Sequence, residues 1–225
     1  MASCLIIEDR FRVPLARTLK EFREWALSDD FPESGRFDFI SGNVEIDLSP
    51  APAFTHNAPK VAIVARLVDL SETAIPGYVF CTRMRFSSVP ADLSVQPDVI
   101  FLSYGGLDRG RAKLNPQPGG AEEGYNEIEG GPDLVVEIVS ACSVRRDTKR
   151  LPKAYFRAGV REFWLIDARG EDLSFRIHHR DKARFTAIPP DDEGFQRSDV
   201  FCRHFRLERW RDHRGYWKYD LQHKE

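Results

Sequence analysis

The chain has 225 residues, of which 42% are hydrophobic and 12% aromatic, so it can bury one sizeable core and is predicted to form a single domain over 1–225. Its net charge of -2 gives no general attraction to polyanions, so DNA binding would have to rest on local positive patches. Without an 18-residue apolar stretch, a leader of signal-peptide type or metal-like cysteine spacing, the sequence predicts a cytoplasmic protein with no membrane association.

The first half of the chain is predicted to alternate helices and strands. Leu19, Phe22 and Trp25 recur at helical spacing, and Ser41-Gly42-Asn43 is typical of a hairpin turn. In chain order we expect a helix at 18–28, a hairpin turning at 41–43, a main helix at 57–73, and strands at 78–81, 84–86 and 98–102.

The second half begins with a segment, 104–131, that is rich in Gly, Pro and Asn. Such a composition predicts a long irregular insertion, which could form a lid over a site or a disordered excursion. Beyond it, Pro152 predicts a helix that starts near Lys149. The remaining expected elements are strands at 134–139, 163–166, 173–178, 184–188, 194–196 and 200–207.

An acidic residue interrupts one of these apolar strands. Glu137 lies in the run Leu134-Val135-Val136-Glu137-Ile138-Val139, whose β-branched composition is typical of a strand covered on both faces. A buried carboxylate is costly unless it is paired, hydrogen-bonded or bound to a metal. Glu137 is therefore the first candidate site residue, although an acid capped by amides at the end of a strand would give the same pattern.

A second acid opens the strand expected at 98–102. Pro97 precedes Asp98 and fixes where that strand can begin. If the two strands are neighbours, Asp98 and Glu137 can converge on one hard divalent cation. Mg²⁺ (or Mn²⁺) suits such a site, since Mg²⁺ takes few protein oxygens, keeps several waters and accepts phosphate oxygens. Pro-Asp alone more commonly marks a turn, so only its pairing with Glu137 favours a metal site.

A set of segments between about residues 36 and 167 shares its order and spacing with a known family. The segments are 36–50, His56, 97–99, 133–140, Asp147, Tyr155, 158–160 and 162–167. Together they resemble the Uma-two family of the PD-(D/E)XK nuclease superfamily. The resemblance implies an α/β, restriction-endonuclease-like fold with a mixed central sheet flanked by helices. The core would span about 18–167, and 168–225 would form a C-terminal antiparallel strand extension.

The chain departs from the superfamily pattern at its lysine. That pattern has a Lys two residues after the Glu, where this chain has Val139. Many Uma-two relatives carry the Lys four residues before the Tyr, where this chain has Leu151. A catalytic cation must then come from elsewhere, and we expect Arg146 first and Lys149 second. The same basic cluster is also typical of a solvated helix face.

The resemblance implies a metal-dependent endonuclease that hydrolyses phosphodiester bonds of DNA, with Asp98 and Glu137 as metal ligands. Asp38 stands where the family suggests an additional acid, and His56 is a further polar candidate, although each could be structural. The alternative is a catalytically degenerate protein of the same fold that binds nucleic acid or a protein partner. A homodimer paired through its C-terminal strands would bring two sites together for double-strand cleavage.

Overall fold

The computed structural model describes residues 4–7, 11–116 and 124–225. Within these ranges the helices are α1 (Leu19–Ala26), α2 (Ala58–Thr73), α3 (Tyr104–Asp108) and α4 (Leu151–Arg157), with π-helical turns at Ala53–Asn57 and Arg146–Arg150 that lead into α2 and α4. The strands of the first half are β1 (Cys4–Ile7), β2 (Phe11–Pro14), β3 (Arg36–Ile40), β4 (Asn43–Asp47), β5 (Gly77–Cys81), β6 (Arg85–Ser88), β7 (Leu93–Val95) and β8 (Val99–Ser103). Those that follow are β9 (Ala112–Pro116), β10 (Tyr125–Gly130), β11 (Leu134–Ile138), β12 (Glu162–Asp167), β13 (Ser174–Arg180), β14 (Phe185–Ala187), β15 (Gln196–Ser198), β16 (Arg203–Arg211) and β17 (Trp217–Lys224).

Local sequence signals account for several of these boundaries. Thr18 caps α1 by accepting a hydrogen bond from the backbone N–H of Glu21, whose side chain in turn accepts from the Thr18 N–H. Ser41 and Gly42 join β3 to β4 in a two-residue turn with φ values of 51° and 79°, as a primed hairpin turn requires. The predicted first helix, hairpin and main helix are therefore present, with ends shifted by one or two residues.

Two six-stranded mixed sheets form the frame of the molecule. The central sheet has the order β14-β13-β12-β11-β8-β5, with β11 and β12 parallel and the other neighbours antiparallel. The second sheet has the order β4-β3-β7-β6-β10-β9. This arrangement matches the predicted mixed α/β fold, with a second sheet that the sequence did not indicate.

Both faces of the central sheet are covered, which explains its apolar strands. One face, with Val99 and Val136, packs against α2 and the three-stranded sheet β15-β16-β17. The other face, with Ile100 and Val135, packs against α4 and the second sheet. Strand residues alternate between the faces, so Glu137 shares the second face with Val135.

Two expectations from the sequence are wrong. Segment 104–131 is not one irregular insertion, because its described part forms α3, β9 and β10, and β10 pairs in parallel with β6. Only 117–123 of that segment lies outside the described residues. The helix expected to start near Lys149 begins earlier, because Arg146 already lies in the π-helical turn that leads into α4.

The C-terminal part contains more pairing than its composition suggests. The expected antiparallel extension is present as β13 to β17, and β17, absent from the prediction, pairs with β16 along its whole length. Buried Glu162 accepts hydrogen bonds from Ser198 Oγ at 2.6 Å and from the Asp199 N–H at 2.8 Å, which ties this extension to β12. None of the described helices is both long and apolar enough to cross a membrane.

Candidate active site

Antiparallel pairing of β8 with β11 places Asp98 and Glu137 opposite each other on the central sheet. Val99 lies opposite Val136, and Asp98, one residue earlier, therefore falls opposite Glu137. The Ile138 N–H donates to Asp98 Oδ2 at 2.8 Å, which fixes the first carboxylate against β11. Asp98 is 5% exposed and Glu137 0%, so both acids lie in the interior.

The start of α2 supplies two basic groups to Asp98. Lys60 Nζ lies 2.6 Å from Asp98 Oδ1, and His56 Nε2 lies 3.3 Å from the same oxygen. Burial would raise the pKa of Asp98, but the hydrogen bond from His56 and the charges of Lys60 and Arg36 hold that pKa well below its usual range. Asp98 is therefore a carboxylate at every physiological pH.

Glu137 has a different environment. The Tyr155 hydroxyl from α4 donates to its Oε1, while the Arg36 guanidinium approaches no closer than 3.4 Å. Burial, reinforced by the charges of Asp147 and Asp98, raises the pKa of Glu137 to about 8 despite Arg36. The two opposed acids thus differ in protonation at neutral pH, Asp98 being charged and Glu137 largely neutral.

The hairpin of β3 and β4 closes one side of the site. Arg36 donates to Asp38 Oδ2 at 2.8 Å, and the Gln96 N–H donates to Asp38 Oδ1 at 3.0 Å. Arg146 Nη1 lies 3.9 Å from Asp38 Oδ2 and 3.8 Å from Asp47 Oδ2. Asp38 is fully buried, so these cations offset a charge that water cannot reach.

Asp147 adds a further buried acid near Glu137. Arg146 Nε donates to its Oδ1 at 3.0 Å, whereas its buried Oδ2 has no hydrogen-bond partner among the described residues. Burial raises the pKa of Asp147 above its ordinary value. This oxygen is free to accept a hydrogen bond from a water molecule or from a ligand.

The donor set fits a hard divalent cation such as Mg²⁺, which needs only one or two protein carboxylates. Asp98 and Glu137 face each other, and among the described residues the nearest hydrogen-bond donor to Glu137 Oε2 is Arg36 Nη2 at 3.4 Å. A cage of three or more His, Cys, Asp or Glu side chains does not occur among the described residues, so water and substrate oxygens would complete the coordination.

The predicted site residues fall into two groups. Asp98, Glu137, Asp38, His56 and Arg146 lie together, joined by the contacts given above. Lys149 is exposed and makes no ion pair within the described part of the chain, so its catalytic role stays a prediction.

The positions where relatives carry a lysine are core positions here. Val139 is 1% exposed, and Leu151, the first residue of α4, is 0% exposed and packs against the central and second sheets. A lysine introduced at Leu151 would be placed in that core rather than at a free edge of the site.

The sequence analysis missed Lys60 and Arg36, although weak signals for both exist. Lys60 follows His56 by four residues, which places both on one face of a helix. Arg36 precedes Asp38 by two residues and so shares its strand face. Both helical approaches to the site also contain π-helical turns, which hold His56 and Arg146 and which often occur at functional sites.

Comparisons with known proteins show the fold and the family of the chain. The chain superposes on the crystal structure of a "putative nuclease belonging to DUF820" from Anabaena variabilis with a TM-score of 0.59 and 20% sequence identity, over 82% of this chain and 90% of that one. At that identity the likeness shows a shared fold. No match was found among curated proteins. The model of the family described as "Uma2: Putative restriction endonuclease" matches residues 19–207, so the chain belongs to the Uma2 family.

Proposed function

We propose that the protein is a metal-dependent nuclease that hydrolyses phosphodiester bonds of DNA at the Asp98–Glu137 site. The observation that carries the proposal is the opposition of Asp98, which directly precedes β8, and Glu137 on β11, with the Lys60 ammonium 2.6 Å from Asp98. The family resemblance implies two carboxylates and one lysine at the active site. Here the lysine is Lys60 of α2, and it replaces a lysine expected at Val139 or Leu151.

Asp98 and Glu137 would hold Mg²⁺ or Mn²⁺, which when bound activates water and polarises the phosphoryl oxygen. Tyr155 orients Glu137 through the hydrogen bond to its Oε1. Lys60 places a positive charge beside Asp98, where it can stabilise negative charge that develops on the phosphate. Arg146, which contacts Asp38 and Asp147, is the second candidate for this role.

Supercoiled plasmid provides the test. We expect nicking or cleavage in Mg²⁺ or Mn²⁺ and none in EDTA, with Asp98→Asn lowering the rate by orders of magnitude because it weakens the ion's coordination. Asp192→Asn is the matched control, since Asp192 is exposed and makes no contact with the site. Equal activity in both variants would place the chemistry elsewhere or in a contaminant.

A degenerate binding protein is the second candidate. It is favoured by the absence of a lysine at Val139 and Leu151 and by the pairing of Arg36 and Lys60 with the acids, which lets the site stand without a metal. Calorimetry with Mn²⁺ separates the two: a nuclease should bind the ion and lose that binding in Glu137→Ala, whereas a degenerate protein should bind none.

Two further predictions concern the oligomeric state and the location of the protein. A homodimer would place two active sites together, so that both DNA strands could be cut in one encounter. Analytical ultracentrifugation should then give the mass of a dimer. A cytoplasmic location stays a prediction from composition.

A further inference from the structure

A cleft with a strongly basic lining runs along the helical segment that follows the site. It encloses about 660 Å³ between α4, the residues before β14 and the turn that joins β3 to β4. Its cationic residues are Arg145, Lys149, Arg150, Lys153, Arg157 and Arg184. Its lining includes no acidic residue. We call these six residues and the space between them the basic cleft.

Most of these charges have no partner within the protein. Arg145, Lys149, Lys153 and Arg184 are exposed and make no side-chain hydrogen bond or ion pair within the described residues. Arg150 pairs with Glu45, and Arg157 donates to the Ser41 hydroxyl at 3.0 Å. Like charges held together repel, so this clustering in a chain of net charge -2 indicates a surface adapted to a polyanion.

The spacing of the cations suits an extended ligand. Arg145, Lys149, Lys153 and Arg157 follow one another at intervals of four residues, and such residues form a stripe along one face of a helix. The interval from Lys153 to Arg157 lies within α4 and advances about 6 Å, while the first two intervals cross the π-helical turn. The stripe therefore offers a row of charges to a linear anion instead of one pocket for a single phosphate.

The basic cleft lies next to a smaller cavity that borders the candidate active site. A smaller cavity, of about 350 Å³, shares Arg145 and Arg150 with the cleft and is also lined by Arg146. Arg146 contacts Asp38 and Asp147, which belong to the site. Arg146 therefore lies between the basic cleft and the acids of the site, and Glu45, which pairs with Arg150, also lines the smaller cavity.

The apolar floor of the basic cleft offers little for reading bases. Arg180 already covers the Phe156 ring at 3.8 Å, and Phe156 meets Phe185 edge to face with ring centroids 5.8 Å apart. Because these rings pack within the protein, a ligand in the basic cleft would be bound mainly by the cationic side chains.

We propose that the basic cleft binds the phosphodiester backbone of the nucleic acid to one side of the scissile phosphate, without sequence preference. The inference rests on the proposed nuclease function and assigns Lys149 and Lys153 to substrate binding. Contacts to phosphate position a nucleic acid but carry no sequence information.

Fluorescence anisotropy in EDTA, where no cleavage occurs, tests the proposal with labelled duplex and single-stranded DNA over a range of NaCl concentrations. We expect Lys149→Ala/Lys153→Ala to weaken duplex binding about tenfold or more at 0.1 M salt and to reduce the slope of log K against log salt by about 1.8, or about 1.4 for single strands. The control is Lys20→Ala/Lys218→Ala, which removes two exposed lysines outside the cleft and should change neither quantity by much.

The outcomes separate this proposal from the nuclease proposal. Wild-type cleavage of plasmid together with unchanged binding by Lys149→Ala/Lys153→Ala would overturn the cleft and leave the nuclease function standing. Wild-type binding that the cleft variant weakens, without cleavage in Mg²⁺ or Mn²⁺, would support the cleft and overturn catalysis. Equal losses in the cleft and control variants would also overturn the cleft, because any two surface lysines would then have the same effect.

Discussion

The candidate site and the basic cleft lie along the same helical segment, yet they use charge in opposite ways. In the site, Arg36, Lys60 and Arg146 each contact at least one buried acid. In the cleft, Arg145, Lys149, Lys153 and Arg184 have no acidic partner within the described residues. A buried charge needs an opposite charge or a hydrogen bond inside the protein, whereas an exposed charge is solvated by water and stays available to bind a ligand. The role of a basic residue on this helical segment can therefore be assigned only when its acidic partners are known.

Helix geometry separates the two sets. Leu151 and Tyr155, four residues apart, point into the core, where Tyr155 reaches Glu137. Lys149 and Lys153, also four residues apart, point into the cleft, because residues two apart on a helix face in roughly opposite directions. One helical segment thus presents its core side to the acids and its outer side to solvent.

Replacing a cation of the site should cost far more stability than replacing one of the cleft. We expect Arg36→Ala to lower the free energy of unfolding by about 3–5 kcal/mol, since buried Asp38 loses its 2.8 Å partner. Arg145→Ala should change it by less than about 0.5 kcal/mol. Urea denaturation of both variants measures the contrast, and similar losses would contradict it.

Leu151→Lys tests whether the helix side facing the core tolerates charge. The side chain is fully buried, so the variant should be destabilised by about 3 kcal/mol and should gain no activity. Leu151→Met, which nearly conserves volume, should cost less than about 1.5 kcal/mol. Thermal unfolding compares the stability of the two variants. A stable and active Leu151→Lys would contradict this prediction, because it would show that a lysine at position 151 can leave the core and contribute to the active site.

Lys60 in the candidate site and Lys149 in the basic cleft should affect different kinetic parameters of cleavage. Under single-turnover conditions with saturating DNA, Lys60→Ala should slow cleavage about 100-fold, because it removes a charge beside Asp98. Lys149→Ala should mainly raise the DNA concentration needed for half-maximal rate. A larger drop in the saturated rate for Lys149→Ala than for Lys60→Ala would return the catalytic role to Lys149.

Stability should depend on pH through the site and not through the cleft. Glu137 has a pKa of about 8 in the folded protein against 4.5 as its ordinary value, so the folded state keeps a proton that the unfolded state loses. Its contribution is complete below about pH 4.5 and is lost as pH rises toward 8, with a slope of up to about 1.4 kcal/mol per pH unit. Urea denaturation in EDTA should show a steeper fall of stability with pH in the wild type than in Glu137→Gln, in which other buried acids such as Asp147 still titrate. Parallel curves would mean that Glu137 is ionised without a metal.

Features with a local cause could be predicted from the sequence. The capping pair Thr18–Glu21 and the Ser41-Gly42 turn set α1 and the β3–β4 hairpin within a residue or two. Segment 104–131 could not be predicted in this way, because β10 is rich in polar residues and exists through its pairing with β6 and β9. Its buried Glu127 is neutralised by Arg23, more than 100 residues away in sequence.

The sequence by itself determined that two acids, Asp98 and Glu137, stand at or in apolar strands and that the usual lysine positions are apolar. Only the tertiary structure decided which cations meet them. Lys60 reaches Asp98 from α2, and Arg36 reaches Glu137 from β3, at separations in sequence that no local pattern connects. The physical reason is that periodicity fixes the side of an element on which a residue lies, while the partner across that surface depends on how distant elements pack.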